Sequence, residues 1–449
     1  MKRIFYCLII AAIMVACADN DDFSTASGLR LTLPADTVEL DTVFSRTASS
    51  TYTFWVHNEN SSGIRLTNVK LAKGNQTGFR VNVDGSYLDN SNGSQVSDLE
   101  IRSKDSLLVF VELTASETRQ TEPQLVEDNL VFTMESGAQQ KINLRAWAWD
   151  ALRWDNLTVT EDTVIEAASP IIVTGTIMVA EGVTLTLRNT ALYFHDQAGI
   201  DVAGTLQTEH CLMRGDRLDR MFSNLPYDRV SGQWGGVHFL ETSVGNVLTD
   251  TEIRNATESV IVDSAAIDVE RPRLVMERCI VHNAEGAGVE TVNAYIVLRD
   301  CQLTNTLGDC LAVYGGMAEV TGCTIAQFYP FSADRGVALL IANCWNGHAQ
   351  PLLRMECRNS ILTGYKDDVI TGMIDADTTT VFNYMFEKSL IRTPRVEGSD
   401  SVWYTQIIWE SPNDSIEGKK QFKTIDEVNL YYDFHLDSLS TAKGLGCYR

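Results

Sequence analysis

The chain is poor in positive charge. Its 449 residues carry 36 Lys and Arg against 59 Asp and Glu, for a formal net charge of −23 and a pI near 4.7. Contacts to a phosphate backbone need clustered Lys and Arg, so a nucleic-acid partner is excluded. Beyond the first seventeen residues there is no apolar run of the roughly 18 residues that a membrane-spanning helix needs. The ten cysteines include no Cys-x-x-Cys and no Cys/His spacing, so there is no zinc signature. GxSxG, HExxH, a P-loop and a dinucleotide-binding glycine run before a helix are all missing. Hydrophobic residues at 44% and charged residues at 21% still describe a folded body with a large core.

What the chain does have is a period of 22. Met276-Glu-Arg-Cys-Ile-Val-His-Asn283 aligns with Leu298-Arg-Asp-Cys-Gln-Leu-Thr-Asn305, and that with Val320-Thr-Gly-Cys-Thr-Ile-Ala-Gln327. Cys279, Cys301 and Cys323 share one column, Val281, Leu303 and Ile325 another, and Asn283, Asn305 and Gln327 a third. Gly286 falls over Gly308 and Val289 over Leu311. Short alternating apolar segments with Asn/Gly turns at a fixed period mark a β-solenoid, whereas a helical hairpin would need apolar spacings of three and four. Each residue then lies about 4.8 Å above its counterpart one coil earlier, so columns become apolar core, or turn residues that bond their own backbone. The stacked cysteines read as buried thiols filling a small core column, with Cys310, Cys344 and Cys357 also in the core. The Asn column holds at Asn255, Asn283 and Asn305 and passes to Gln327, Thr363 and Arg392.

Residues 1–17 read as an export signal: Lys2 and Arg3, then the apolar run Ile4 to Ala16. Met14-Val15-Ala16-Cys17 resembles a bacterial lipobox, which implies a lipid on Cys17 and hence a membrane partner. Ala18-Asp19-Asn20-Asp21-Asp22 resembles the acidic tag of surface-displayed Bacteroidota lipoproteins. It implies an outer-membrane lipoprotein facing outward; a plain solvated tether over 18–27 and a periplasm-facing leaflet are the alternatives.

From 28 to 150 the pattern has period two. Thr51–His57, Ser106–Leu113 and Asn129–Met134 alternate apolar and polar, separated by Asn/Ser/Gly turns, which predicts a β-sandwich. Val56-His-Asn58 followed by Ile64-Arg-Leu-Thr-Asn-Val69 resembles the abnormal-spindle/Hydin group of Ig-like domains, implying a spacer or interaction module without catalysis. From 151 to 449, Ile171–Val179, Glu181–Leu187, Ala191–His195 and Gly199–Leu206 read as successive coil edges. They resemble the opening of the right-handed parallel β-helix superfamily that includes pectate lyases and polygalacturonases. Asp433 and the run Phe434-His-Leu-Asp-Ser-Leu-Ser-Thr-Ala-Lys-Gly-Leu-Gly446 resemble the ending of many such proteins. The expected fold class is therefore all-β: an N-terminal β-sandwich followed by a right-handed parallel β-helix.

Two stretches are candidates for chemistry. Arg214 to Gly236 is locally basic and offers Asp216, Arg217, Tyr227, Asp228, Arg229 and Trp234, with rings for sugar stacking; the other reading is a packed loop of Arg–Asp pairs with a tryptophan wedged under the coil. Tyr365-Lys-Asp367-Asp368 and Asp375-Ala-Asp377 offer carboxylates, and Asp367 with Asp368 would be the metal ligands were Ca²⁺ held by six to eight oxygens. Turn caps on a solvated face are the plainer account of these acids, and no cofactor is required. Glycoside hydrolysis needs paired carboxylates at a set separation, for which Asp309, Asp334, Asp367 and Asp368 are conceivable, but polygalacturonase motifs are missing. The expectation is a lipid-anchored envelope protein whose solenoid wall binds polysaccharide or another envelope protein, with a polysaccharide lyase or glycoside hydrolase as the alternative.

Overall fold

The structure, a computed structural model, describes residues 22–410 and 417–448. Cys17 and the start of the acidic tether lie outside the described residues. The chain forms two compact units: residues up to Asp150 with Leu218–Pro226, and Ala151–Arg217 with Tyr227 onward.

The first unit packs two sheets face to face. One runs Thr37–Phe44, Gln139–Trp149, Gln124–Met134, Ile64–Leu71 and Gln95–Val96, with Leu99–Ile101 also on Ile64–Leu71; the other runs Tyr52–His57, Ser106–Leu113, Phe79–Val83 and Ser86–Tyr87. Alternation decides the layering: Phe54, Val56, Val81, Val109, Val111, Leu66, Phe132 and Leu144 point into one core, while Trp55, His57 and Phe110 between them are exposed. Within this unit Arg220 Nε lies 2.7 Å from Asp41 Oδ2, and Ser50 N donates to Asp219 Oδ2 at 2.5 Å.

The second unit is a parallel β-helix with three strands per coil. Its inward columns explain why like residues recur. Ile200, Val237, Val260, Val289, Leu311 and Leu339 pair in turn, as do Met213, Ile253, Val281, Leu303, Ile325, Leu362 and Ile391. All belong to one continuous apolar core. Stacking identical shapes at the sheet spacing leaves no voids, so the sequence must repeat.

The cysteine column has a geometric cause. At one corner of each coil a residue in the left-handed region (Asn189, His210, Asp250, Arg278, Asp300, Gly322, Asn359 or Lys388) bends the chain. The next residue points inward and donates to the carbonyl two residues back. Thr190, Thr251, Ser360 and Ser389 do so through hydroxyls at 2.7–2.9 Å, and Cys211, Cys279, Cys301 and Cys323 through thiols at 3.2–3.6 Å. The thiols are thus the middle of a corner column in which Ser and Thr serve equally. The Cys301 thiol, then burial, pushes Cys279 well above the ordinary thiol range, and burial first does the same to Cys301, so both are neutral. Cys344 departs from expectation: it is half-buried on the small hairpin Cys344–Trp345/His348–Ala349 rather than in the core.

On the neighbouring outer face a charge ladder runs up the coils. Glu166, Arg188, Glu209, Thr249, Glu277, Arg299, Thr321, Arg358 and Glu387 pair in that order. Opposite signs are adjacent, as in Glu277–Arg299 at 2.7 Å and Arg358–Glu387 at 3.2 Å. Where two like charges would otherwise meet, a threonine separates them.

The Asn column needs one correction. Asn255, Asn283, Asn305 and Gln327 stack as read from the sequence, but Gln327 is followed by Gly364, and Thr363 and Arg392 continue the column of Thr304 and Ala326. The long excursion between Gln327 and Ile361 hides this one-residue step. Gly364 is required there, since a Cβ would lie 2.7 Å from the Gln327 carbonyl oxygen. The C-terminal segment returns as the hairpin Phe422–Asp426/Tyr431–Leu436, whose Phe422 and Phe434 cover Phe328 and Ala326 on the outside of this sheet. Gly446, at φ +75°, sits where a Cβ would meet Thr324 Oγ1 at 2.6 Å and Ile361 Cδ1 at 2.8 Å.

Candidate functional site

The basic loop read from the sequence is a packed one. Trp234 is fully buried, stacked on Phe194 at 4.2 Å with Nε1 donating to the Arg254 carbonyl at 2.8 Å. It is unavailable to a sugar, which corrects its assignment as a binding residue. Asp216 is buried with Oδ2 at 2.8 Å from His195 Nδ1, and Arg217 lies over the Tyr227 ring at 4.5 Å. Asp228 bonds Arg214 at 2.7 Å and Arg254 at 3.0 Å; burial works to raise its carboxyl, but the two guanidiniums hold it below the ordinary range. Arg229 stands 4.0 Å from the same carboxylate.

Asp367 and Asp368 diverge. Asp367 Oδ1 meets the buried Arg392 at 3.2 Å, while Asp368 Oδ1 accepts from Thr393 Oγ1 at 2.6 Å. Among the described residues no group of three His, Cys, Asp or Glu side chains stands together as a metal site.

A different face gathers chemistry. Along the sheet that contains Gly236–Phe239, Val260–Val262, Val289–Arg299, Leu311–Thr321 and Leu339–Ala342, one outward column reads Asp201, His238, Ile261, Glu290, Ala312 and Leu340. His238 Nε2 lies 2.9 Å from Asp263 Oδ1 and its Nδ1 3.8 Å from Asp201 Oδ1. Two coils on, Glu290 projects from its strand, with Glu258 in the turn of the coil before and Asp309 in the turn of the coil after. Successive coils stand about 4.8 Å apart, so Glu258 and Asp309 are anchored roughly 10 Å apart along the axis with Glu290 between their levels.

Each flanking acid is tied down by one oxygen. Glu258 Oε2 accepts from Ala287 N and Asp309 Oδ1 from Val337 N, both at 2.7 Å and both one coil further on. The carboxylate of Glu290 accepts no hydrogen bond from the described residues. All three carboxyls are raised above the ordinary range, in each case by burial first; Glu290 is raised further by Glu258 and Asp309. The turns beside these acids are tightly stacked backbone. Gly286, Gly308 and Gly336 stack so closely that a Cβ on Gly308 would sit 2.8 Å from the Gly286 backbone, and one on Gly336 2.4 Å from the Gly308 backbone.

Aromatic side chains stand beside the acids. Tyr314 projects outward one coil above Glu290, and the hairpin Cys344–Trp345/His348–Ala349 brings Trp345 onto it at 4.1 Å between ring centroids. Asn346 and Gly347 turn that hairpin with positive φ at both positions, the requirement of a two-residue turn. Burial, then Glu290 and Asp309, push the Tyr314 hydroxyl up to about 12, so it stays a hydrogen-bond donor. Sequence reasoning weighed Asp309 but missed Glu258, Glu290, Tyr314 and Trp345. The one available signal was the Trp-Asn-Gly-His hairpin at 345–348.

The family described as a right-handed beta helix region matches residues 155–325. No curated protein matches the chain. Solved structures align weakly. The catalytic domain of a GH87 alpha-1,3-glucanase in complex with tetrasaccharides is 9% identical with a TM-score of 0.34, over 79% of this chain and 86% of that one. The catalytic unit of the thermostable GH87 alpha-1,3-glucanase from Streptomyces thermodiastaticus strain HF3-3 is 12% identical with a TM-score of 0.24, over 80% and 89%. A family 123 glycoside hydrolase from Clostridium perfringens is 8% identical with a TM-score of 0.18, and the chain spans only 27% of that enzyme's length. At these scores and identities the superpositions define neither a family nor an activity for this chain.

Proposed function

We propose that this protein is a lipid-anchored, outward-facing envelope protein that binds a polysaccharide on the outer sheet face around Glu290. The observation that carries the reading is a half-buried carboxyl that accepts no hydrogen bond from the described residues, set between two anchored ones and beside the Tyr314–Trp345 pair. Sugar rings pack their C–H faces on aromatic rings, and paired carboxyls with a tyrosine hydroxyl supply acceptors and a donor for hydroxyl groups. Three carboxyls at this spot, in a chain of net −23, favour a neutral glycan over an acidic one.

A second reading, glycoside hydrolysis, is favoured by one specific feature. Burial keeps Glu290 protonated to higher pH than a free glutamate, as a general acid requires, with Glu258 and Asp309 on either side as candidate bases. Isothermal titration of neutral and acidic polysaccharides, with a reducing-end assay run on the same mixtures, tests both. Binding without new reducing ends supports the first reading and turnover the second. Neither, together with capture of an envelope protein through this face, would replace both with a protein-binding role.

A further inference from the structure

We propose that the small cavity lined by Arg229, His282, Asn283, Asn305, Leu430 and Tyr432 holds a small monovalent anion of halide size. It is separate from the Glu290 face and does not depend on the glycan reading. The cavity lies where the Asn column meets the Tyr227–Arg229 turn and the C-terminal hairpin, and it is small enough for a single ion or water.

Its walls carry polar groups with nothing to bond. Asn305 is 1% exposed; its Oδ1 accepts from Phe328 N at 3.2 Å, but Nδ2 has no partner among the described residues. The Tyr432 hydroxyl is likewise buried without one. Asn283, 4% exposed, makes no side-chain hydrogen bond among the described residues. His282 has its Nδ1 2.8 Å from Thr304 Oγ1. Buried polar atoms left in this state in a native fold point to an unseen water or ion.

Arg229 favours the ion. Among the described residues Arg214, Arg229 and Arg254 pair with two carboxylates, Asp228 and Glu252, with Arg229 held loosely at 4.0 Å, while Glu427 and Asp426 of the hairpin oppose Arg229 at Tyr432. Among the described residues that line the cavity there is no carboxylate. Burial first, then the Arg254 charge, push His282 down to about 3. A water would satisfy the amides and the hydroxyl; an anion would in addition pair with Arg229, whose nearest carboxylate oxygen is 4.0 Å away. The ion would pin the hairpin turn, where Leu430 adopts φ +53°, against the Asn column.

The test uses the full chain. Crystals grown in sodium bromide should show an anomalous peak inside the cavity, within hydrogen-bonding reach of Asn305 Nδ2 and Arg229. At constant ionic strength, replacing chloride by gluconate should lower Tm in the wild type, and Arg229→Gln should lose at least half of that difference. Tyr432→Phe, which removes one donor and little volume, should lose a smaller part and serves should Arg229→Gln fail to fold. A cavity occupied by water alone in bromide, or a halide response the same in wild type and variants, would overturn the proposal.

Discussion

Trp234 is where two accounts of the basic loop part company, and replacing it separates them. Its ring is inaccessible, stacked face to face on Phe194, and its Nε1–H satisfies the Arg254 carbonyl. Truncation to alanine removes a buried aromatic of the kind that costs about 3–5 kcal/mol, and it strands the Arg254 carbonyl as well. Trp234→Phe keeps most of the stack and loses the donor, so it should cost about 1–3 kcal/mol. Urea titrations followed by circular dichroism measure both, with hydrogen exchange of Ala191–Val202 and Gly236–Phe239 confirming that the loss lies in these coils. Trp234→Phe should keep full glycan affinity. Wild-type stability in Trp234→Ala, accompanied by lost binding, would refute the structural assignment and restore the tryptophan as a ligand contact.

The remaining predictions concern columns and charges. Glu290→Gln removes a carboxyl whose folded-state pKa is raised, so the wild type gives up stability as pH rises from the ordinary glutamate range through that raised value; the urea midpoint of the variant should match wild type near pH 4 and exceed it at pH 8, and a pH-independent gap would contradict this. Thr321 separates Arg299 and Arg358 in the ladder, so Thr321→Glu should stabilise and Thr321→Arg destabilise by roughly 0.2–1 kcal/mol each, both shrinking in 1 M salt. Cys301→Ser should be tolerated, because Ser and Thr occupy the same corner in other coils. Cys301→Leu should cost about 1–3 kcal/mol by overpacking, and equal stability of the two variants would sink the corner-column account.

The fold was legible because stacking forces repetition. Cys279 over Cys301, Val281 over Leu303 and Gly286 over Gly308 are each pairings that one coil imposes on the next. The alternation in Thr51–His57 and Ser106–Leu113 exposed the sandwich for the same kind of reason. Legibility failed where coils change length: the insertion after Gln327 shifted Thr363 and Arg392 by one place. It failed again on outward columns, where solvent permits any residue. Asp201, His238, Ile261, Glu290, Ala312 and Leu340 share a column but no chemistry, so nothing in the repeat marks Glu290 as special. Asp228 and Trp234 misled because a basic, aromatic loop in an acidic protein has the same composition whether its charges pair with each other or await a ligand.

The most direct test of the binding face is a difference map from crystals soaked with a neutral oligosaccharide that the titrations select. The account predicts a sugar ring against Tyr314 and Trp345, with hydroxyl groups within hydrogen-bonding distance of Glu290 and of Glu258 or Asp309. Sugar density on any other face, with this one unchanged at saturating ligand, would contradict it.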